Sequence, residues 1–67
     1  MKQFQVTKEI PRTYGFDFNH EIINADYMKL EGGHLIFRQE VRHSYPETIR
    51  VFAPGSWTEC KFLGYDA

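Results

Sequence analysis

Apolar and polar residues alternate along most of this chain with a period of two, the signature of half-buried strands and not of helices. Phe4 and Val6, then Tyr14, Phe16 and Phe18 interleaved with Gly15 and Asp17, predict two amino-terminal strands. Pro11 and Arg12 lie between them, where a residue with no backbone donor predicts a turn or a departure from the sheet edge. The one stretch with helical spacing, Asn19 to Ala25, would set Ile22 and Ile23 on one side for less than two turns. It predicts a turn or a short helix, because a segment that short does not hold alone.

The most informative stretch runs from Ala25 to Val41, where two alternating runs flank Gly32-Gly33. A Gly pair readily takes the positive φ values of a tight hairpin turn, so these two residues predict the loop. Counting outward sets Glu31 opposite His34, Leu30 opposite Leu35, Met28 opposite Phe37 and Tyr27 opposite Arg38. Met28, Leu30, Leu35 and Phe37 then share one face, and Tyr27, Lys29, Glu31, His34, Ile36 and Arg38 share the other. A slip of one residue would destroy this separation, so turn chemistry and burial pattern favour the same register.

Arg42 to Glu47 contains Tyr45-Pro46 and predicts a loop. A third strand follows in which Ile49 and Val51 continue the buried side and Thr48, Arg50 and Phe52 point away. Pro54-Gly55 predicts a further turn. Trp57 to Leu63 predicts the last strand, with Cys60 and Phe62 inward, and Gly64 to Ala67 a frayed end. The expected fold is all-β, a single small domain over residues 1–67. Its antiparallel meander from Ala25 to Phe62 would close as a sandwich or rolled sheet under a lid of Phe4, Val6, Ile10, Tyr14, Phe16 and Phe18.

Composition narrows the function classes. Eight Lys plus Arg stand against nine Asp plus Glu, a net charge of −1. That balance excludes both a polyanionic DNA mimic and a strongly basic nucleic-acid binder. No apolar run approaches the roughly 20 residues that span a bilayer, and the amino terminus lacks the apolar stretch of a secretory leader. With a single cysteine, Cys60, no internal disulfide can form, so a cytoplasmic setting is expected, without membrane association.

Candidate chemistry is sparse. His20, His34, His43 and Cys60 show no pair at zinc-ligand spacing, and neither a metal nor a cofactor is expected. His34 reads as a hairpin residue opposite Glu31, His20 and His43 as loop residues, and Cys60 as a small core hydrophobe. Ser44 beside His43 is adjacency and not a triad. Asp17, Glu21, Asp26 and Glu40 read as surface charges, and Glu31-Gly32-Gly33 is too short for a phosphate cradle. No enzymatic activity is expected.

One constellation stands out. If Phe37 lies beside Val51, then Arg38 lies beside Arg50, and Tyr27, Lys29, Arg38, Arg50 and Phe52 share the outward face with His34 and Ile36. Aromatic and guanidinium groups of this kind anchor protein contacts. They can also stack bases and hold phosphates, as in sheet-based single-strand or nucleotide binders, although Glu31, Glu40, Glu47 and Glu59 dilute the positive field. Cross-strand pairs also arise merely to solvate an exposed face. Trp57, at the Pro54-Gly55 corner, reads as a core plug before it reads as an exposed hot spot. Uncovered edge strands make a homodimer a further expectation.

The run Tyr27-Met28-Lys29-Leu30-Glu31-Gly32-Gly33-His34-Leu35-Ile36-Phe37, followed by Val51-Phe52-Ala53-Pro54-Gly55-Ser56-Trp57, resembles the small orphan β proteins of phages and prophages. The resemblance covers about half the chain. It implies a cytosolic accessory protein of a mobile element, the class that includes inhibitors of host defence such as anti-CRISPR proteins, and it implies no catalytic residues. The chain departs from the strongly acidic, DNA-mimicking members, which leaves steric blocking of a protein partner as the implied mode.

Overall fold

The computed structural model describes residues 1–65 and is all-β. Its strands are β1 (Lys2–Pro11), β2 (Phe16–Ala25), β3 (Tyr27–Glu31), β4 (His34–Gln39), β5 (Glu47–Phe52) and β6 (Glu59–Tyr65). They form two antiparallel three-stranded sheets, ordered β2-β1-β6 and β3-β4-β5. Among the described residues there is no helix, hence none long and apolar enough to cross a membrane.

The second sheet starts from the glycine turn. Gly32 and Gly33 take φ of 58° and 81°, as a two-residue hairpin loop needs. The ladder runs Tyr27↔Arg38, Met28↔Phe37, Lys29↔Ile36, Leu30↔Leu35 and Glu31↔His34, the register that the turn predicts. Burial follows it only in part. Leu35 and Phe37 on the central strand are sealed, whereas Met28 and Leu30 on the edge strand are exposed, Leu30 at 61%.

Asn19 to Ala25 is neither turn nor helix. It is the second half of β2, whose ladder with β1 runs through ten consecutive pairs from Lys2↔Ala25 to Pro11↔Phe16. Two adjacent β-branched residues favour a pleated strand, and burial divides them by parity: Ile23 packs inward opposite Phe4, and Ile22 faces out. His20 therefore lies in a strand and not in a loop. β1 runs through Pro11, and the reversal occupies Arg12 to Gly15, where the Arg12 N–H donates to the Gly15 carbonyl (3.0 Å) and Gly15 takes a φ of 91°.

The connectivity beyond β5 differs from the predicted meander. Ala53-Pro54-Gly55-Ser56 makes a turn with Gly55 at a φ of 82°, closed by Ser56 N–H donating to the Ala53 carbonyl (3.1 Å). The chain then crosses to the first sheet, where Thr58 N–H donates to the Thr7 carbonyl (2.8 Å) and β6 pairs with β1. Gly64 and Tyr65 belong to β6; the rest of the predicted frayed end lies outside the described residues.

The sheets meet through Phe4, Val6, Ile23 and Ala25 on one side and Leu35, Phe37 and Phe52 on the other, with Trp57 and Cys60 packed at the margin. The Phe4 and Phe37 rings lie 5.3 Å apart, and Phe37 meets Phe52 edge-on at 6.0 Å. The predicted lid is only partly realised. Phe4 and Val6 are buried, but Ile10, Tyr14, Phe16 and Phe18 are exposed. Ten-residue strands overrun six-residue ones, and β6 covers β1 only from Lys2 to Thr7, so the distal part of the hairpin projects as a two-stranded arm. Phe62 is likewise exposed, although its ring touches Phe4 at 5.6 Å.

Candidate docking surface

The β4–β5 register decides where the sequence-predicted residues go. Ile36 pairs with Val51 and Phe37 with Arg50; the register then shifts, so that Arg38 pairs with Thr48 and Ile49 is the extra, bulged residue. Opposite residues share a face, so Arg50 and Phe52 join Phe37 and Leu35 on the inward side. Phe52 is buried at 3%, which removes it from any docking surface. Ile49 and Val51, read from sequence as buried, are exposed. The outward face keeps Tyr27, Lys29 and Arg38, with Ile36 and Val51 between them.

Arg50 instead lies at the solvent-exposed margin between the two sheets. Its Nε donates to Glu21 Oε2 at 2.9 Å, and its guanidinium lies 4.5 Å from the centroid of the Phe52 ring. Lys8 Nζ reaches the other oxygen of Glu21 at 3.3 Å. The Arg50 hydrogen bond, aided by Lys8, holds the Glu21 carboxyl below its ordinary range against the opposing effect of burial, and Glu21 in turn raises Arg50. This trio ties β1, β2 and β5 together across the sheet gap. Trp57 is half-buried against the core, its indole N–H donating to the Gly33 carbonyl at 3.3 Å, so it acts as a plug and is not available as an exposed hot spot.

On the outward face, Lys29 is engaged by Glu31 at 3.2 Å. Arg38 has no salt bridge among the described residues, and its Nε is the one buried side-chain polar atom there without a hydrogen-bond partner. That Nε is sealed from solvent and therefore from a partner; what Arg38 offers on this face is a half-buried guanidinium that no carboxylate among the described residues engages. The backbone beneath it is fixed, since the Asp26 N–H donates to the Arg38 carbonyl (3.0 Å) and Asp26 Oδ2 accepts from the Glu40 N–H (2.7 Å).

Tyr27 joins this face to a second feature that sequence reasoning missed. At the open end of the two sheets lies a cleft of about 320 Å3 lined by Lys2, Phe4, Tyr27, Met28, Phe62 and Tyr65. Phe62 and Tyr65 meet edge-on at 5.8 Å along one wall. Its volume is at the small end of the range for ligand pockets, suited to one large apolar side chain. Met28 and Phe62, both read from sequence as inward, are exposed and border this cleft; no local pattern marks the recess between them.

The other candidates do not assemble. His20 Nδ1 is 2.9 Å from Thr7 Oγ1 and 3.2 Å from Gln5 Nε2 on the first sheet, whereas His34 follows the Gly32-Gly33 turn of the second. His43 sits in the 40–46 loop at a φ of 60°. Cys60 is half-buried, and burial raises its thiol above the ordinary value, the opposite of what a nucleophile requires. Among the described residues no three His, Cys, Asp or Glu side chains are grouped to hold a metal ion. Comparison with family models, with curated proteins and with solved structures finds no match to this chain.

Proposed function

We propose that this chain is a non-enzymatic binding protein that docks onto a protein partner through Tyr27, Lys29 and Arg38. In this reading the neighbouring cleft receives an apolar side chain of the partner. The observation that carries it is the junction at Tyr27: an aromatic-walled recess of about 320 Å3 opens beside a sheet face bearing the Arg38 guanidinium, which no carboxylate among the described residues engages. Tight protein interfaces pair these two elements, an anchor pocket and an Arg at its edge. The resemblance to small phage and prophage β proteins supplies the setting. The proposed role is that of a mobile-element accessory protein in the host cytoplasm, blocking a component of host defence sterically. The single-strand nucleic-acid reading drew on Arg50 and Phe52 beside Arg38, and the β4–β5 register separates them.

Immobilised protein is expected to retain a discrete host protein from a cell lysate, and the Tyr27→Ala/Arg38→Ala variant to lose that protein while keeping its circular dichroism spectrum and melting temperature. Retention of the same protein by the folded double variant would refute this surface. Salt-sensitive binding of labelled oligonucleotides at low ionic strength, with no protein captured, would favour the nucleic-acid reading.

A further inference from the structure

The chain is less compact than its size requires. Its radius of gyration is 13.5 Å, against about 11 Å for an ordinary 67-residue domain. Its accessible surface is 4990 Å2, against about 4,450 Å2 for 8 kDa. The β1–β2 arm contributes to the excess: Phe16 and Phe18 are 62% exposed and Ile22 is 50% exposed, all on the outward side of β2 opposite Pro11, Glu9 and Gln5.

β2 is also an edge strand, and its only edge-protecting feature is the inward pair Asp17 and Glu21, both already engaged by cations of the same chain. Exposed edges are normally blunted by Lys, Pro, bulges or short length. β6 has Lys61 and a register shift against β1, β5 has the Ile49 bulge, and β3 is five residues long with Lys29. β2 is ten residues, Phe-Asp-Phe-Asn-His-Glu-Ile-Ile-Asn-Ala, with no Lys, Arg, Pro or Gly and no irregularity against β1. Ten residues long, in unbroken register with β1 and with Phe16, Phe18 and Ile22 exposed on its outer face, it is a template for another strand.

We infer that the strand it takes is β2 of a second copy of this chain, antiparallel about a twofold axis near Asn19. The sequence around that residue is symmetric in kind: Phe16, Asp17 and Phe18 before it, His20, Glu21 and Ile22 after it. An antiparallel pairing through Asn19 sets Phe16 against the partner's Ile22 and Phe18 against the partner's His20, twice each, on one face. On the other face Asp17 meets the partner's Glu21. These like charges are already engaged within each chain, Asp17 by Arg12 at 2.8 Å and Glu21 by Lys8 and Arg50. The product is a continuous six-stranded sheet, β6-β1-β2 joined to the same strands in reverse order, with the β2 edges closed by an isologous contact. Pairing about Asn19 brings Phe16–Ile22 of each copy together, a segment about 23 Å long with three exposed apolar side chains per copy, a contact smaller than a standard dimer interface, so a weak, concentration-dependent dimer is expected. The Tyr27 face lies on the other sheet, so this inference is independent of the docking surface.

Sedimentation velocity from low micromolar to near-millimolar protein tests it. The wild-type chain should shift with concentration from 8.0 kDa toward twice that mass. Phe18→Lys/Ile22→Lys should weaken association at least tenfold with an unchanged circular dichroism spectrum, while Leu63→Lys on the opposite edge leaves it intact. Asn19→Cys in a Cys60→Ser background should form an intermolecular disulfide under mild oxidation, because facing Cα atoms in an antiparallel pair fall within disulfide range. This crosslink reports on the edge even if the lysine variant misfolds. A wild-type chain that stays at 8.0 kDa throughout would overturn the inference. So would a dimer broken by Leu63→Lys, or one indifferent to the β2 lysines with no Asn19→Cys crosslink.

Discussion

Phe37 and Leu30 occupy the same side of the same hairpin, and only the covering layer distinguishes them. Phe37 is fully buried between the Phe4 and Phe52 rings, at 5.3 and 6.0 Å, whereas Leu30 is largely exposed. Phe37→Leu keeps most of the apolar volume and forfeits two ring pairs, each worth about 0.5–1.5 kcal/mol, for a loss of about 2 kcal/mol. A 67-residue domain has a total stability of about 3–10 kcal/mol, so the loss is a large share. Leu30→Ala removes side-chain atoms that already meet water and is expected to cost about 0.5 kcal/mol or less. Urea titration followed by Trp57 fluorescence separates the two, because Trp57 packs against the core. With a slope of about 1 kcal/mol/M for a domain this small, Phe37→Leu should lower the midpoint by about 2 M and Leu30→Ala by about 0.5 M or less. Protein concentration is held fixed, since self-association would shift both midpoints. A Leu30→Ala midpoint as low as that of Phe37→Leu would refute the burial argument, placing Leu30 under a layer that the two-sheet arrangement does not supply.

Two further substitutions probe the joints of the fold. Gly33→Ala should destabilise by about 1–2 kcal/mol, since the position has a φ of 81° and an added Cβ would lie 3.1 Å from Pro54 Cβ; Gly32→Asn, at an open αL position, should melt close to wild type, and equal losses from both would argue against the Pro54 contact. Glu21 is held below its ordinary value near 4.5 in the folded chain, so its contribution is fully present above that value and is lost as pH falls through the lower folded one. The contribution is a fraction of a kcal/mol because Arg50 is half-exposed. Melting curves of wild type and Glu21→Gln should therefore converge as pH is lowered, and a gap that widens toward acid would contradict the assigned direction.

The reversals in this chain are legible locally because they are decided within a few residues. Gly32-Gly33 dictates its own backbone, and with it the pairing of Tyr27 with Arg38 and of Leu30 with Leu35. Pro54-Gly55 does the same for the corner before Trp57, and alternation identifies most of the strands. The shared face of Tyr27, Lys29 and Arg38, on which the proposed docking surface rests, follows from that one turn. Tertiary structure decided the rest. The loop 40–46 is too long to transmit register, and β5 is apolar on both sides, with Ile49 and Val51 against Phe52. Alternation alone therefore could not say which set turns inward; a bulge and the position of Phe37 did. That β6 pairs with β1 and not with β5 depends on a long-range contact between Thr58 and Thr7, which no local pattern encodes. Phe16 and Phe18 alternate as well as Phe4 and Val6 do, yet they remain in solvent. Periodicity assigns side chains to faces, and only the reach of the opposing sheet determines which part of a face is covered.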